Sequence, residues 1–193
     1  MYEVLKDLYI YDKTTFRHCM RVGKLAKKFV LYLNKNYNFD LDSKIIEKAG
    51  YLHDIGKLNI DLSILSSPKP LSAEERVIIE KHPLEGIKIL EEKNIKINDY
   101  IYYCILGHHK GYLYNGYPKE CNFIPLRYKK YVSIITICDV FDALTNKRSY
   151  KNSFSENQSL YIMDRMTLFD NELYEIFKFF LEEKGCDLND WNK

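Results

Sequence analysis

The stretch that decides the fold is Tyr51-Leu52-His53-Asp54-Ile55-Gly56-Lys57, residues 51–57 of a 193-residue chain. An imidazole and a carboxylate stand side by side at the end of an apolar helix, and a lysine follows three positions after the aspartate. Neutral imidazole and carboxylate together suit borderline divalent metals such as iron, manganese or zinc. A carboxylate has two oxygens, so Asp54 can bridge two ions where His53 holds one. Upstream, Ile45, Ile46, Ala49 and Leu52 recur at three- and four-residue steps, with Asp42 as N-cap. His53 falls four residues after Ala49, on the buried side, and Gly56 reads as a left-handed helix stop.

The same period repeats outward from this segment. Residues 13–35 carry Val22, Leu25, Ala26, Phe29 and Leu33 on one stripe, with His18 one turn before Val22 and Asp12 as N-cap. After a loop with Pro68 and Pro70, Ser72 and Glu75 form a capping box, and that helix must yield before Pro83. Pro83 suits the first turn of a helix running to about Lys93, which puts His82 at its start. A helix from about Asp99 carries Ile101, Ile105, His108 and His109 along one side. Residues 111–123 form a tyrosine-rich loop with an Asn115-Gly116 turn, stiffened by Pro118. Pro125 precedes a long helix with Val132, Ile135, Asp139 and Asp142 along one side. Ser155 and Gln158 make a second capping box. Asp170 caps a last amphipathic helix, closed by Gly185. No strand alternation competes with this pattern. The expectation is one all-α domain over residues 1–193, with about six to eight helices around a metal centre.

Charge narrows the function. With 29 basic and 27 acidic side chains the formal charge is +2, too near neutral for duplex-wide phosphate binding or a membrane surface. Recognition of an anionic ligand must therefore be local. Five cysteines, odd in number and without a CxxC pair, read as reduced structural thiols. The amino-terminal MYEVLKDLYIYDK lacks a signal-peptide core, and no run approaches the ~18 apolar residues of a membrane span. A cytoplasmic protein is expected.

A single histidine on an apolar stripe is usually a satisfied core residue. Here all five histidines, with Asp54 and Asp139, sit at helix faces or ends that are otherwise apolar. An aspartate on such a stripe is costly unless it is paired or metal-bound. Seven nitrogen and oxygen donors without a cysteine exceed one tetrahedral structural site and fit two ions of higher coordination. Two ions about 3.5–4 Å apart can hold a hydroxide at neutral pH and clamp the entering and leaving oxygens of a phosphoryl centre. Lys57 would steady the charge that builds on the phosphate oxygens.

The run HDIGK, HPLEG at 82–86, His108-His109 followed by Gly116-Tyr117-Pro118, and ICDVFDALTNKRSYK at 137–151 together resemble the HD-GYP family, a branch of the HD metal-dependent phosphohydrolases. The resemblance spans residues 13–165. It implies an all-helical fold, two divalent ions (iron or manganese ahead of zinc, nickel or magnesium) and hydrolysis of cyclic di-GMP to a linear dinucleotide or GMP by a metal-activated hydroxide. Carried over by position, His18, His53, Asp54 and Asp139 would hold one ion. Asp54 would share the second with His82, His108 and His109. Lys57 would lie near the scissile phosphate, Arg148 and Lys151 would grip a phosphate, and Gly116, Tyr117 and Pro118 would shape the pocket.

Several positions depart from that pattern. Lys110 stands where the family carries a glutamate, and Leu113 and Tyr114 where it carries Asp-Gly. Ser67-Pro68-Lys69 replaces a Lys-Pro-Gly run, and Thr14 stands where three-metal members have a glutamate, so two ions are expected. The altered loop leaves open a different cyclic dinucleotide or a nucleotide as substrate. It also leaves open a sensor without turnover, although retention of all seven donors and Lys57 argues for an enzyme. A homodimer or a separate regulatory protein is equally open.

Overall fold

The structure is a computed structural model that describes residues 1–113, 115–146 and 153–184. Among the described residues the chain is entirely helical. In order come α1 (Tyr2–Tyr11), α2 (Lys13–Tyr37), α3 (Ser43–Leu52), a 3-10 turn (Ile55–Asn59), α4 (Leu62–Leu65) and α5 (Ala73–Ile79). They are followed by α6 (His82–Glu92), α7 (Asp99–Gly107), α8 (Leu126–Thr145), α9 (Glu156–Met163) and α10 (Asn171–Lys184). The all-α expectation holds. Additional short elements raise the count: the four-residue α4 inside the proline loop, and α1, whose Val4 and Leu8 are fully buried one turn apart. None of these helices is long and apolar enough to cross a membrane.

Caps set the helix starts as the sequence predicts. Asp12 accepts from the Thr14 amide, and Asp42 from those of Lys44 and Ile45. Both capping boxes close, and Asp170 accepts from the Leu173 amide. Each such cap contributes about 1 kcal/mol.

The core is organised by α8, buried at every position from Tyr131 to Asp139. A helix covered on all sides sits at the centre of its fold. α2 packs along it, and Phe29, Phe141, Phe177 and Phe180 join α2, α8 and α10 through ring contacts of 5.1–5.9 Å. α2 and α3 cross closely because glycine meets glycine: a Cβ on Gly50 would stand 2.5 Å from the Gly23 Cα. That crossing carries His18 and His53 to the same end of the bundle. Cys19, Cys104, Cys121 and Cys138 are buried free thiols, while Cys186 and Gly185 lie outside the described residues.

One local expectation is corrected. Gly56 has no positive φ and does not end α3 as a left-handed cap; Gly111 is the positive-φ glycine among the described residues. Gly56 is required instead by close approach, because a Cβ there would lie 1.8 Å from the His82 carbonyl oxygen and 2.5 Å from the Gly86 amide. The first turn of α6 therefore rests directly on the 3-10 turn. This contact brings His82 to Asp54.

Candidate metal centre

Seven side chains from α2, the α3 end, the α6 start, the α7 end and α8 meet at one point. His18, His53, Asp54, His82, His108 and Asp139 are buried and His109 is nearly so. The Asp54 carboxylate divides them. Its Oδ2 lies 3.6 Å from His18 Nε2 and 3.5 Å from His53 Nε2. Its Oδ1 lies 3.1 Å from His82 Nε2 and 3.8 Å from His108 Nε2. Asp139 Oδ1 faces His18 and His53 at 2.9 and 3.8 Å, and its Oδ2 is 4.0 Å from His109 Nε2. Donor separations of this size are those of atoms sharing an ion at about 2.0–2.2 Å. The donors form one group of Asp54, His82, His108 and His109 and another of His18, His53 and Asp54, with Asp139 close to His53 and His108.

Tautomers show why a cation fits. His53, His82 and His108 each place Nδ1 2.8 Å from a main-chain carbonyl three residues back, of Gly50, Ile79 and Ile105 respectively. A carbonyl can only accept, so each Nδ1 carries the proton and each Nε2 presents a lone pair. These residues stand at or just past the ends of α3, α5 and α7, where the last carbonyls have no intrahelical partner. His82 Nε2 and His108 Nε2 then face each other at 3.1 Å with no proton between them. His18 Nε2 lies 2.9 Å from Asp139 Oδ1. His18 Nε2, His53 Nε2 and Asp54 Oδ1 are buried without a hydrogen-bond partner. Acceptors converging on acceptors in a dry site need positive charge among them.

Electrostatics agree. Burial opposes a charged Asp54, yet Lys57 and His53 hold its carboxyl well below the usual range. Asp139 is held down against the same burial cost by neighbouring His18 and His53. Burial also opposes protonation of His53, but Asp54 pulls its pKa well above normal: the carboxylates draw positive charge to His53 Nε2, whether a second proton or a metal cation that replaces it. Burial pushes His108 well below its ordinary value and His109 down to about 3, so both imidazoles are neutral and ready to ligate.

A cavity of about 390 Å³ opens above the cluster, lined by Thr14, His18, Lys57, His82, His109 and Tyr117 among others. Lys57 Nζ reaches Asp54 Oδ2 at 2.5 Å. The Tyr117 ring stacks on His109 with centroids 4.6 Å apart. Thr14 stands at the cavity wall in the first turn of α2.

Three site features escape sequence reasoning. Asp142 is not a spare acid beside Asp139: its Oδ2 lies 2.7 Å from His18 Nδ1, and Arg21 grips both its oxygens at 2.7 and 2.8 Å. Its position three after Asp139 on the same apolar side is the one signal the sequence carries. Thr136 Oγ1 donates to the His108 carbonyl at 2.8 Å. Lys110, only 5% exposed, extends Nζ to the carbonyls of Gly116 (3.3 Å) and Pro118 (3.1 Å), so it ties down the turn carrying Tyr117. Lys110→Met should leave those carbonyls short of a donor and destabilise the fold by roughly 1.5–3 kcal/mol. A denaturant titration, with hydrogen exchange at residues 116–118, checks this; unchanged protection there would refute the brace. Tyr114, Arg148 and Lys151 lie outside the described residues.

A family model described as HD domain matches residues 8–173. The chain belongs to the HD domain family. Membership implies a divalent metal, which the buried His/Asp cluster fits. Among curated HD relatives, the 3'3'-cGAMP-specific phosphodiesterase 2 of Vibrio cholerae serotype O1 is 35% identical over 119 residues, covering 61% of this chain and 22% of that protein. The cyclic di-GMP phosphodiesterase of Thermotoga maritima is 34% identical over 167 residues, covering 82% of this chain and 44% of that protein. The chain thus spans less than half the length of either. Among solved structures, the HD domain of the L. monocytogenes phosphodiesterase PgpH aligns with TM-score 0.56 at 22% identity, over 83% of this chain and 80% of that one. At that identity the likeness speaks for the fold.

Proposed function

We propose that this HD domain is a metal-dependent phosphodiesterase of the HD-GYP type that opens cyclic di-GMP to a linear dinucleotide or GMP. The observation that carries it is the buried Asp54 carboxylate, whose two oxygens face two adjoining groups of imidazoles, next to a cavity lined by His18, Lys57, His82 and His109. The Thermotoga and Vibrio relatives, named as phosphodiesterases of cyclic dinucleotides, support the substrate class. His18, His53, Asp54 and Asp139 would hold one divalent ion, and Asp54, His82, His108 and His109 the other, with iron or manganese preferred over zinc, nickel or magnesium. Two such ions supply a low-pKa water and neutralise charge on a phosphoryl group.

The chain's own groups do the rest. Asp54 and Asp139 stay ionised at neutral pH because their neighbours outweigh burial. Lys57, beside Asp54 on the cavity wall, stabilises charge developing on the phosphate oxygens. Tyr117, stacked on His109, bounds the cavity where a base or ribose would lie. On the family pattern, Arg148 and Lys151 would grip a phosphate of the ligand. Lys57→Ala should lower kcat by about 10²–10³ while metal content is retained. Steady-state kinetics and metal analysis on one preparation check this; loss of both ions would instead make Lys57 a support of Asp54.

A second reading keeps the chemistry and changes the substrate, to another cyclic dinucleotide or a nucleotide phosphate. The cGAMP-specific relative and the Lys110 brace in place of the family glutamate favour it. Comparing kcat/KM for cyclic di-GMP, 3'3'-cGAMP, cyclic di-AMP and a mononucleotide ester decides between them. A clear preference for a substrate other than cyclic di-GMP retires the first reading. Binding of a cyclic dinucleotide with no product in Fe(II) or Mn(II) retires both in favour of a sensor.

A further inference from the structure

We infer that Asp142, backed by Arg21, is a positioning residue that fixes His18 and makes the His18 cation position the tighter of the two. This rests on reading the cluster as a two-cation centre. The reason begins with the backbone. His53, His82 and His108 stand at helix ends, where unused carbonyls orient their Nδ1 protons. His18 lies inside α2, which runs from Lys13 to Tyr37, and carbonyls within a helix are already taken. A side chain must therefore do for His18 what the main chain does for the others.

Asp142 meets that need. It is buried, and four donors use its oxygens: His18 Nδ1 (2.7 Å) and Arg21 Nη2 (2.8 Å) at Oδ2, Arg21 Nε (2.7 Å) and Asn146 Nδ2 (3.0 Å) at Oδ1. With its accepting capacity engaged, it orients a ligand rather than acting as one. A carboxylate behind an imidazole raises the basicity of the far nitrogen and fixes the ring, which a neutral carbonyl does less strongly. The charge around the two positions differs in the same sense. Asp54, with Lys57 at its Oδ2, is common to both positions, and Asp142 is balanced by Arg21; Asp139, 2.9 Å from His18 Nε2 but 4.0 Å from His109 Nε2, adds its negative charge mainly to the His18 side, whereas the other side has three imidazoles. A dication therefore fills the His18 position first.

The test is a calorimetric titration of the chelated full chain with Mn(II), which needs no substrate. Wild type should show two unequal steps. Asp142→Asn, which removes the charge with little change of shape, should weaken the first, tighter step by about 10–100-fold and leave the other within about threefold; selective weakening of the weaker step overturns the inference. His18→Ala should abolish that same step, and adding Asp142→Asn to it should change nothing further. Arg21→Met, at a partly exposed position, should weaken the same step less, and it carries the test if Asp142→Asn does not fold. Equal weakening of both steps, no weakening, or a further loss in the double variant overturns the inference. A wild-type chain that binds no Mn(II) refutes the two-cation reading itself, whereas stepwise binding without turnover spares this inference and refutes only the phosphodiesterase.

Discussion

Asp54→Ala should remove both cations and lower turnover more than about a thousandfold, roughly 4 kcal/mol of barrier. The reason is geometric. One oxygen stands 3.1 Å from His82 and the other about 3.5 Å from His18 and His53, so no other side chain in the cluster serves both halves equally. Removing it also leaves Lys57 Nζ without its carboxylate and several lone pairs facing one another in a buried space. His82→Ala offers the contrast, because it deletes a donor from one half only and should spare the ion on the His18 side. Metal content and steady-state kinetics on the same samples check both. Full turnover by Asp54→Ala would mean that the carboxylate does not bridge.

The second large effect is structural. Gly56→Ala places a methyl group 1.8 Å from the His82 carbonyl oxygen and 2.5 Å from the Gly86 amide, and both obstacles are backbone. Neither can rotate away, so the 3-10 turn and the first turn of α6 must separate. Overpacking a tight contact costs about 1–3 kcal/mol, and a clash with main chain on both sides belongs at or above the upper end. At about 3 kcal/mol a chain of this size melts roughly 6–12 °C lower. The damage should reach function as well, since Asp54 lies two residues before the glycine and His82 is the residue it touches. Thermal melting and metal content should fall together. A variant that melts like wild type would show that the close approach is not as drawn.

These two sites mark what a sequence can disclose. Caps are local: Asp12, Asp42, Ser72 and Ser155 bond amides two or three residues on, so the residue order alone reveals them. The seven candidate donors are legible because imidazoles and acids on apolar faces have few other uses. Gly56 is misread because a helix stop and a close approach look alike locally, and the approaching segment is α6, some thirty residues on. Periodicity puts Asp142 on the correct side of α8, but its partner His18 is 124 positions away and no repeat reveals that pairing. Lys110 stands out as a departure without a purpose, since its acceptors are main-chain carbonyls whose position depends on how the 116–118 turn folds back. α1 carries its signal in Val4 and Leu8, a pair too short to distinguish a helix from an irregular start.

The most direct test of the central claim is an anomalous diffraction measurement on crystals loaded with Mn(II). Two peaks about 3.5–4 Å apart are expected, one on each side of the Asp54 carboxylate, the first among His18, His53 and Asp139 and the second among His82, His108 and His109. A single peak, or peaks that leave Asp54 uncoordinated, would contradict the account.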